Sequence, residues 1–441
     1  MTGNSHLERV LGMPSIVLFG LAYLVPLTVF TTYGVVTEQT AGHLPAAYVV
    51  TLTAMLFTAY SYGLMVRAHP FAGSAYTYTQ RAFGPHLGFM TGWALLLDYL
   101  FLPMINYLVM GIYLGAAFPA VPAAVWIVAA ILLVTGLNVL GIRLVARTNF
   151  MLVAVQVVFI VVFVVAAART IAGAGLPSLT APFLPSGGEA SAVFGGAAIL
   201  CLSFLGFDAV STLAEETREP RRRIPRAIML VTVIGGALFI LVSYVGHLVF
   251  PRYAEFTDVD SAALDVVGAA GGAALTAFFT AAYIAGCFGS AMAAQASVSR
   301  ILYAMGRDGA LPSRVFGRLH ARFRTPALAT AVVGVLSLIA LVISLELASS
   351  MISFGALVAF SLVNLSVIKH YVVDEARRAP AQIVAYAVVP GIGVLLTLWL
   401  WTSLSGTTFA VGLAWIAAGF AYLVGLTRVF TRRPPQLQLT P

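Results

Sequence analysis

Two acidic residues stand where a carboxylate is costly. Asp98 falls near the middle of the apolar run 87–115, and Asp208 near the middle of the run 194–215. At mid-bilayer a carboxylate costs about 2.5–3.5 kcal/mol on insertion scales. No Lys or Arg lies at comparable depth in any apolar run, so neither acid has a fixed cation to neutralise it. Three outcomes remain: protonation, pairing with a cation taken from solution, or retention by backbone donors and polar side chains. The first two are the chemistry of a cation or proton carrier. The third is a buried Asp that only bonds neighbouring helix ends.

The flanking residues favour an open site. Asp208 follows Cys201-Leu-Ser-Phe-Leu-Gly-Phe, where Ser203 and Gly206 replace the aliphatics of an ideal apolar helix. Gly206 permits a positive φ, and a helix broken there would aim freed amides and carbonyls at a ligand. The first run contains Ala22-Tyr23-Leu24-Val25-Pro26. Pro26 removes one amide donor and disfavours helix at Val25, with a plain proline kink as the competing reading. Tyr23, Tyr99, Phe101, Phe204 and Phe207 flank these positions. Ring faces attract an ammonium by about 0.5–2 kcal/mol, although in a chain with 11% aromatics any single ring is more often packing. The candidate substrate site is therefore Tyr23, Leu24, Val25, Pro26, Asp98, Tyr99, Ser203, Phe204, Gly206, Phe207 and Asp208. Asp208, then Asp98, are the candidates for proton coupling.

Other chemistry is unsupported. The two cysteines, Cys201 and Cys287, lie inside apolar runs and read as packing. The seven histidines are scattered, and no HExxH, GxSxG, Walker A or selectivity-filter sequence occurs. No cofactor and no metal are expected, and the chain does not read as an enzyme.

The elements that must carry these residues follow from composition. Of 441 residues 60% are apolar and 9% charged, against roughly a quarter charged in a soluble domain. Mean hydropathy is +0.97. Lipid must be the solvent for most of the chain. Apolar runs bounded by Pro, Gly and charge predict twelve helices near 13–36, 45–67, 87–115, 122–142, 148–168, 194–215, 226–249, 273–303, 326–345, 348–371, 381–402 and 407–427. Each is close to the 20 or so residues that cross ~30 Å of hydrocarbon. No linker separates them, so 1–441 reads as a single all-α membrane domain, with 1–12 and 428–441 as cytoplasmic termini.

Charge placement tests that count. With the N-terminus inside, every Lys and Arg except Arg169 and Arg252 falls in an inner segment. This is the positive-inside pattern, and miscounting one helix would scramble it. The +8 net charge is thus a topology signal and not a nucleic-acid footprint. A multi-pass inner-membrane protein with both termini cytoplasmic is expected. The first ten residues are too short and too weakly basic for a signal-peptide n-region.

Three stretches carry a family resemblance: Pro70-Phe-Ala-Gly-Ser-Ala-Tyr-Thr-Tyr78 with Gly88 to Trp93; Phe204 to Asp208 followed by Ala214-Glu-Glu-Thr-Arg-Glu-Pro; and Ser299-Arg-Ile-Leu-Tyr-Ala-Met-Gly-Arg with Thr325-Pro326 after it. Together they resemble the amino acid–polyamine–organocation permeases over essentially the whole chain. The stretches Leu96 to Asn106 and Ser353 to Asn364 are similar to bacterial putrescine importers. The resemblance implies a five-plus-five inverted-repeat fold with discontinuous helices 1 and 6 around the substrate, and a proton gradient as the driving force. It also implies that the acid at Asp208 responds to protons and substrate. The chain departs from the importer pattern at Thr31, where an Asp is usual, and at Gly286, where an Asn is usual.

The expected partners are a small organic cation or amino acid, protons, and membrane lipid. Sodium is the second choice of ion, since Ser290, Ser297 and Ser299 could ligate it. Two buried acids, no buried cation, and a span-1 turn one donor short favour an amine over an α-amino acid. An amino-acid permease or exchanger, and a receptor that binds without turnover, are the alternatives.

Overall fold

The computed structural model describes residues 11–431 and 434, apart from 71–74, 141–144, 175–177, 185–188, 308, 310 and 324. The motif residues Phe71 to Ser74, the basic residues Arg143, Arg324, Arg432 and Arg433, and the extreme termini lie outside them. Among the described residues the secondary structure is helical, save one isolated bridge between Leu11 and Thr217.

The helices in chain order are α1 (Met13–Leu24), α2 (Tyr33–Gln39), α3 (Leu44–Ala68), α4 (Ala75–Phe83), α5 (Pro85–Ala117), α6 (Ala123–Leu140), α7 (Val145–Ala174) and α8 (Glu189–Ile199). They continue with α9 (Pro220–Val249), α10 (Ala263–Arg307), α11 (Ala327–Leu336), α12 (Leu345–Val367), α13 (Pro380–Ile383), α14 (Val389–Thr402) and α15 (Gly406–Leu426). Eleven helical stretches among the described residues are long and apolar enough to cross a membrane. The run expected at 326–345 is shorter, an apolar helix over Ala327–Leu341 whose last turn tightens to 3₁₀. The start expected at 273 falls directly after a break in the helical backbone. Helix α10 begins at Ala263 and breaks at Gly271 and Gly272, the latter at φ 66°. The segment from Ala263 to Ala270 is thus a separate short helix, and the helix expected from 273 follows the glycine pair.

Burial sorts the bundle into an inner and an outer set. Helices α3 and α9 pack along one another, α5 lies between α10 and α12, and α10 also packs on α7. Large apolar side chains on α6, α7, α14 and α15, such as Leu132, Val161, Leu395 and Phe420, face outward. In water such a surface would aggregate; in a bilayer it is the lipid-facing wall. The interior is aromatic, with Phe30, Phe159, Phe163 and Phe279 meeting at ring-centroid distances of 5.0–6.1 Å.

Close approach of the inner helices depends on missing side chains. A Cβ at Gly355 of α12 would lie 2.6 Å from the Ala94 carbonyl oxygen, on the α5 turn that precedes Asp98. At the end that carries the basic residues, the Leu11 amide donates to the Glu216 carbonyl at 3.0 Å, and the Arg218 amide to the Leu11 carbonyl at 3.2 Å.

Candidate functional site

Helix α1 stops at Leu24. Val25 sits at φ 51°, ψ 97°, and the chain resumes as a 3₁₀ turn over Pro26–Phe30. The cause is local, since Pro26 has no amide and crowds Val25 out of the helical region. Helix α8 loosens in the same way. It ends at Ile199, tightens to 3₁₀ over Leu200–Phe204, then opens at Leu205 and at Gly206, φ +130°. Both interruptions fall where Pro26 and Gly206 predict them.

A broken helix leaves carbonyls without partners, and none can be left bare in hydrocarbon. Hydroxyls cover them here. Thr28 donates to the Leu24 carbonyl at 3.0 Å, Thr51 to Ala197 at 2.9 Å, and Ser353 to Ile199 at 2.8 Å. The freed amides are also taken. The Val25 amide donates to the Ala22 carbonyl at 3.3 Å, and the Leu27 amide to Gln156 Oε1 at 3.3 Å.

The two breaks touch. A Cβ on Gly206 would lie 2.9 Å from the Leu24 nitrogen and 3.0 Å from a Tyr23 ring carbon. Gly206→Ala is therefore expected to cost about 1–3 kcal/mol, from a disallowed φ and a backbone clash together. Thermal unfolding of the purified variant checks this; an unchanged midpoint would mean that the contact does not exist.

The two acids differ in their surroundings. Asp208 Oδ1 accepts from the Gly206 amide at 3.0 Å. Asp98 is 6% exposed, and its Oδ1 has no hydrogen-bond partner among the described residues. The two carboxylates lie within electrostatic reach of each other and of the hydroxyls of Tyr23, Tyr62 and Tyr99. Five polar groups thus converge with no cation among them.

A cavity of about 110 Å3 adjoins this cluster. Tyr23, which is 37% exposed, belongs to both, and Leu24 and Val25 complete the α1 wall. Across from them the cavity is lined by neutral polar groups: Thr31, Asn106, Gln156, Tyr283 and Ser290. The Thr31 and Tyr283 hydroxyls bond at 2.7 Å, and Asn106 Nδ2 donates to Ser290 Oγ at 3.2 Å. Thr31 and Gly286, the two departures from the importer pattern, both face this cavity.

The expected set is only partly gathered there. Pro26 is buried in the turn, and Asp98, Tyr99 and Asp208 stand beside the cavity without lining it. Ser203 is fully buried with its hydroxyl 3.2 Å from that of Tyr48. Phe204 packs edge-on against Phe239 at 5.5 Å, and Phe207 packs between Tyr62 at 5.7 Å and Phe360 at 5.3 Å. These rings do not line the cavity; burial against α3, α9 and α12 took them. Cys201 and Cys287 are both buried, and Cys287 also borders the cavity.

Gln156 and Tyr283 were missed. Gln156 had a signal, as the lone polar side chain of the run 150–168. Tyr283 had none, because the 3.6-residue period of α10 does not say which aromatic faces α1.

Comparison with known sequences decides the family. Residues 15–430 match the family described as amino acid permease. This chain belongs to that family. The permease is 42% identical over 445 residues to the low-affinity putrescine importer PlaP of Escherichia coli (strain K12), covering 99% of this chain and 98% of that protein. It is 28% identical to the branched-chain amino acid permease BcaP of Bacillus subtilis (strain 168), covering 95% and 93%. It is 29% identical to the methylthioribose transporter of the same organism, covering 94% and 93%. The permease is a multi-pass membrane protein of a transport family, and not an enzyme.

Proposed function

We propose that this permease imports a small amine such as putrescine across the inner membrane by proton symport. The observation that carries the reading is the Asp98 carboxylate oxygen, buried and, among the described residues, without a partner in a cluster that holds no cation. A desolvated carboxylate needs a counter-charge, and an ammonium entering past Tyr23 supplies one. The tyrosine rings around it add cation–π attraction. The 42% identity to a putrescine importer over 99% of the chain supports the same substrate class.

Asp208 is the proposed proton-coupling residue, with Asp98 as its partner. Two neighbouring acids cannot both stay charged and unpaired in a low dielectric, so a proton on one and an ammonium on the other is the balanced state. Asp208 also bonds the backbone at the break in α8, so its charge state bears on the shape of the unwound segment.

Twelve crossings are supported by the end of the bundle where two histidines meet. The His69 and His370 rings are 5.0 Å apart. Residues 69 and 370 then share one end, which requires an even number of crossings between them and counts Ala327–Leu341 as one. The breaks at Val25 and Gly206, five crossings apart, support the five-plus-five inverted repeat. The basic residues at the end shared by Leu11 and Thr217 support cytoplasmic termini.

A second reading, an amino-acid permease or exchanger, is favoured by one observation: the cavity itself is lined by neutral polar groups, with Thr31 and Gly286 on its wall. Against it, the amides of the α1 break are already bonded, leaving little to hold a carboxylate.

Uptake of labelled putrescine into proteoliposomes decides between them. Accumulation driven by an imposed inward proton gradient, equal with and without sodium, is the expected result. Absence of accumulation, or accumulation only of amino acids, would overturn the proposal.

A further inference from the structure

A second cavity, of about 390 Å3, opens between α1, α3 and α9 at the basic end of the bundle. Its floor is apolar, built where Gly63 lets α9 come close: a Cβ there would lie 3.1 Å from Pro225 Cβ. Leu64 and Met229 line it, and Met13 closes the α1 side. Its rim carries two guanidinium groups, Arg67 at the end of α3 and Arg226 near the start of α9. Both are exposed, and neither has an ion-pair partner among the described residues. The nearby acid Glu219 is engaged instead by Arg223, at 3.5 Å.

The groove continues into the lipid-facing wall. Leu230 is 43% exposed, and Val233 and Ile234 extend the same apolar surface along α9 away from the arginines. On the other bank Leu18 and Phe19 of α1 are exposed. Two unpaired cations at the membrane interface, above an apolar trough running toward the bilayer centre, match one occupant in both charge and polarity gradient. Basic pockets between transmembrane helices on the cytoplasmic side suit anionic headgroups, and the trough suits an acyl chain.

We propose that this groove binds an anionic phospholipid of the inner leaflet, with its phosphate between Arg67 and Arg226 and an acyl chain along Leu230, Val233 and Ile234. Because Met13 lines the groove, the bound lipid contacts the half-helix that leads to the break at Val25. The groove contains neither of the two buried aspartates, so lipid binding there is independent of the transported substrate.

The test uses the full-length permease purified in a neutral detergent. Native mass spectrometry counts retained lipid after addition of phosphatidylglycerol, phosphatidylcholine or inorganic phosphate. Phosphatidylglycerol is expected to be retained and to raise the thermal midpoint, while phosphatidylcholine and phosphate do neither. The double substitution Arg67→Gln/Arg226→Gln should weaken phosphatidylglycerol retention roughly ten- to thirty-fold. The pair Arg221→Gln/Arg222→Gln, on α9 but outside the groove, removes the same charge and should leave retention intact. Equal retention in both double variants, equal loss in both, or equal retention of the two lipids would each overturn the proposal. If the Arg67/Arg226 double variant is not recovered folded, Arg226→Gln alone is read against Arg222→Gln by the same criterion.

Discussion

Asp98→Asn is expected to weaken the apparent affinity for putrescine by about ten- to a hundred-fold while leaving insertion and folding intact. The magnitude follows from what is lost, one charge-assisted hydrogen bond worth about 1.5–3 kcal/mol in a desolvated site. The folded protein should tolerate the change because Oδ1 has no bond to lose among the described residues. Removing a buried, uncompensated charge even favours the empty state. Concentration-dependent uptake in proteoliposomes gives the affinity, and size-exclusion behaviour gives the folding. An unchanged affinity would return Asp98 to a structural role.

Asp208→Asn is expected to abolish proton-driven accumulation altogether. An Asn keeps the side chain's shape and can still accept the Gly206 amide through its carbonyl oxygen, so the break at φ +130° should survive. It cannot alternate between a charged and a neutral form, so substrate flux loses its link to the proton gradient. The discriminating measurement is accumulation under an imposed gradient set beside substrate-for-substrate exchange without one. Loss of the first with retention of the second supports coupling at Asp208. Wild-type accumulation in the variant would refute the assignment. Loss of both activities would assign Asp208 to the backbone geometry of the break, because its bond to the Gly206 amide would then be its whole contribution.

The helices and their interruptions were legible because their causes are local. Pro26 acts on the residue before it, Gly206 on its own φ, and apolar runs on their own partition into lipid. The buried acids were legible for a similar reason, since no Lys or Arg occurs at their depth in any helix. What lay beyond reach was rotational: which face of a uniformly apolar helix turns inward. Phe204 and Phe207 flank Asp208 in sequence, yet their rings belong to the packing against Phe239, Tyr62 and Phe360. Tyr283 and Asn106 meet α1 only through the crossing of α10 and α5. Within the bilayer both faces of a helix can be greasy, so the amphipathic stripe that orients a helix in a soluble protein is weak. Gln156 is the instructive exception. A single amide in an aliphatic run must find a partner, and it finds the Leu27 amide beside the break.

The paired hydrogen bonds between Leu11 and the segment Glu216 to Arg218 bear on how this end of the bundle opens. They tether the lead-in to the first half-helix to the exit of the sixth crossing, while Gly206 against Leu24 fastens the same two stretches near mid-depth. Two stretches pinned at both ends behave as one lever. Either they swing together, or the latch at Leu11 lets go first, at a cost of about 1 kcal/mol for each bond. So small a latch is within reach of thermal motion, and opening of this end of the bundle would then hinge on the deeper Gly206 contact.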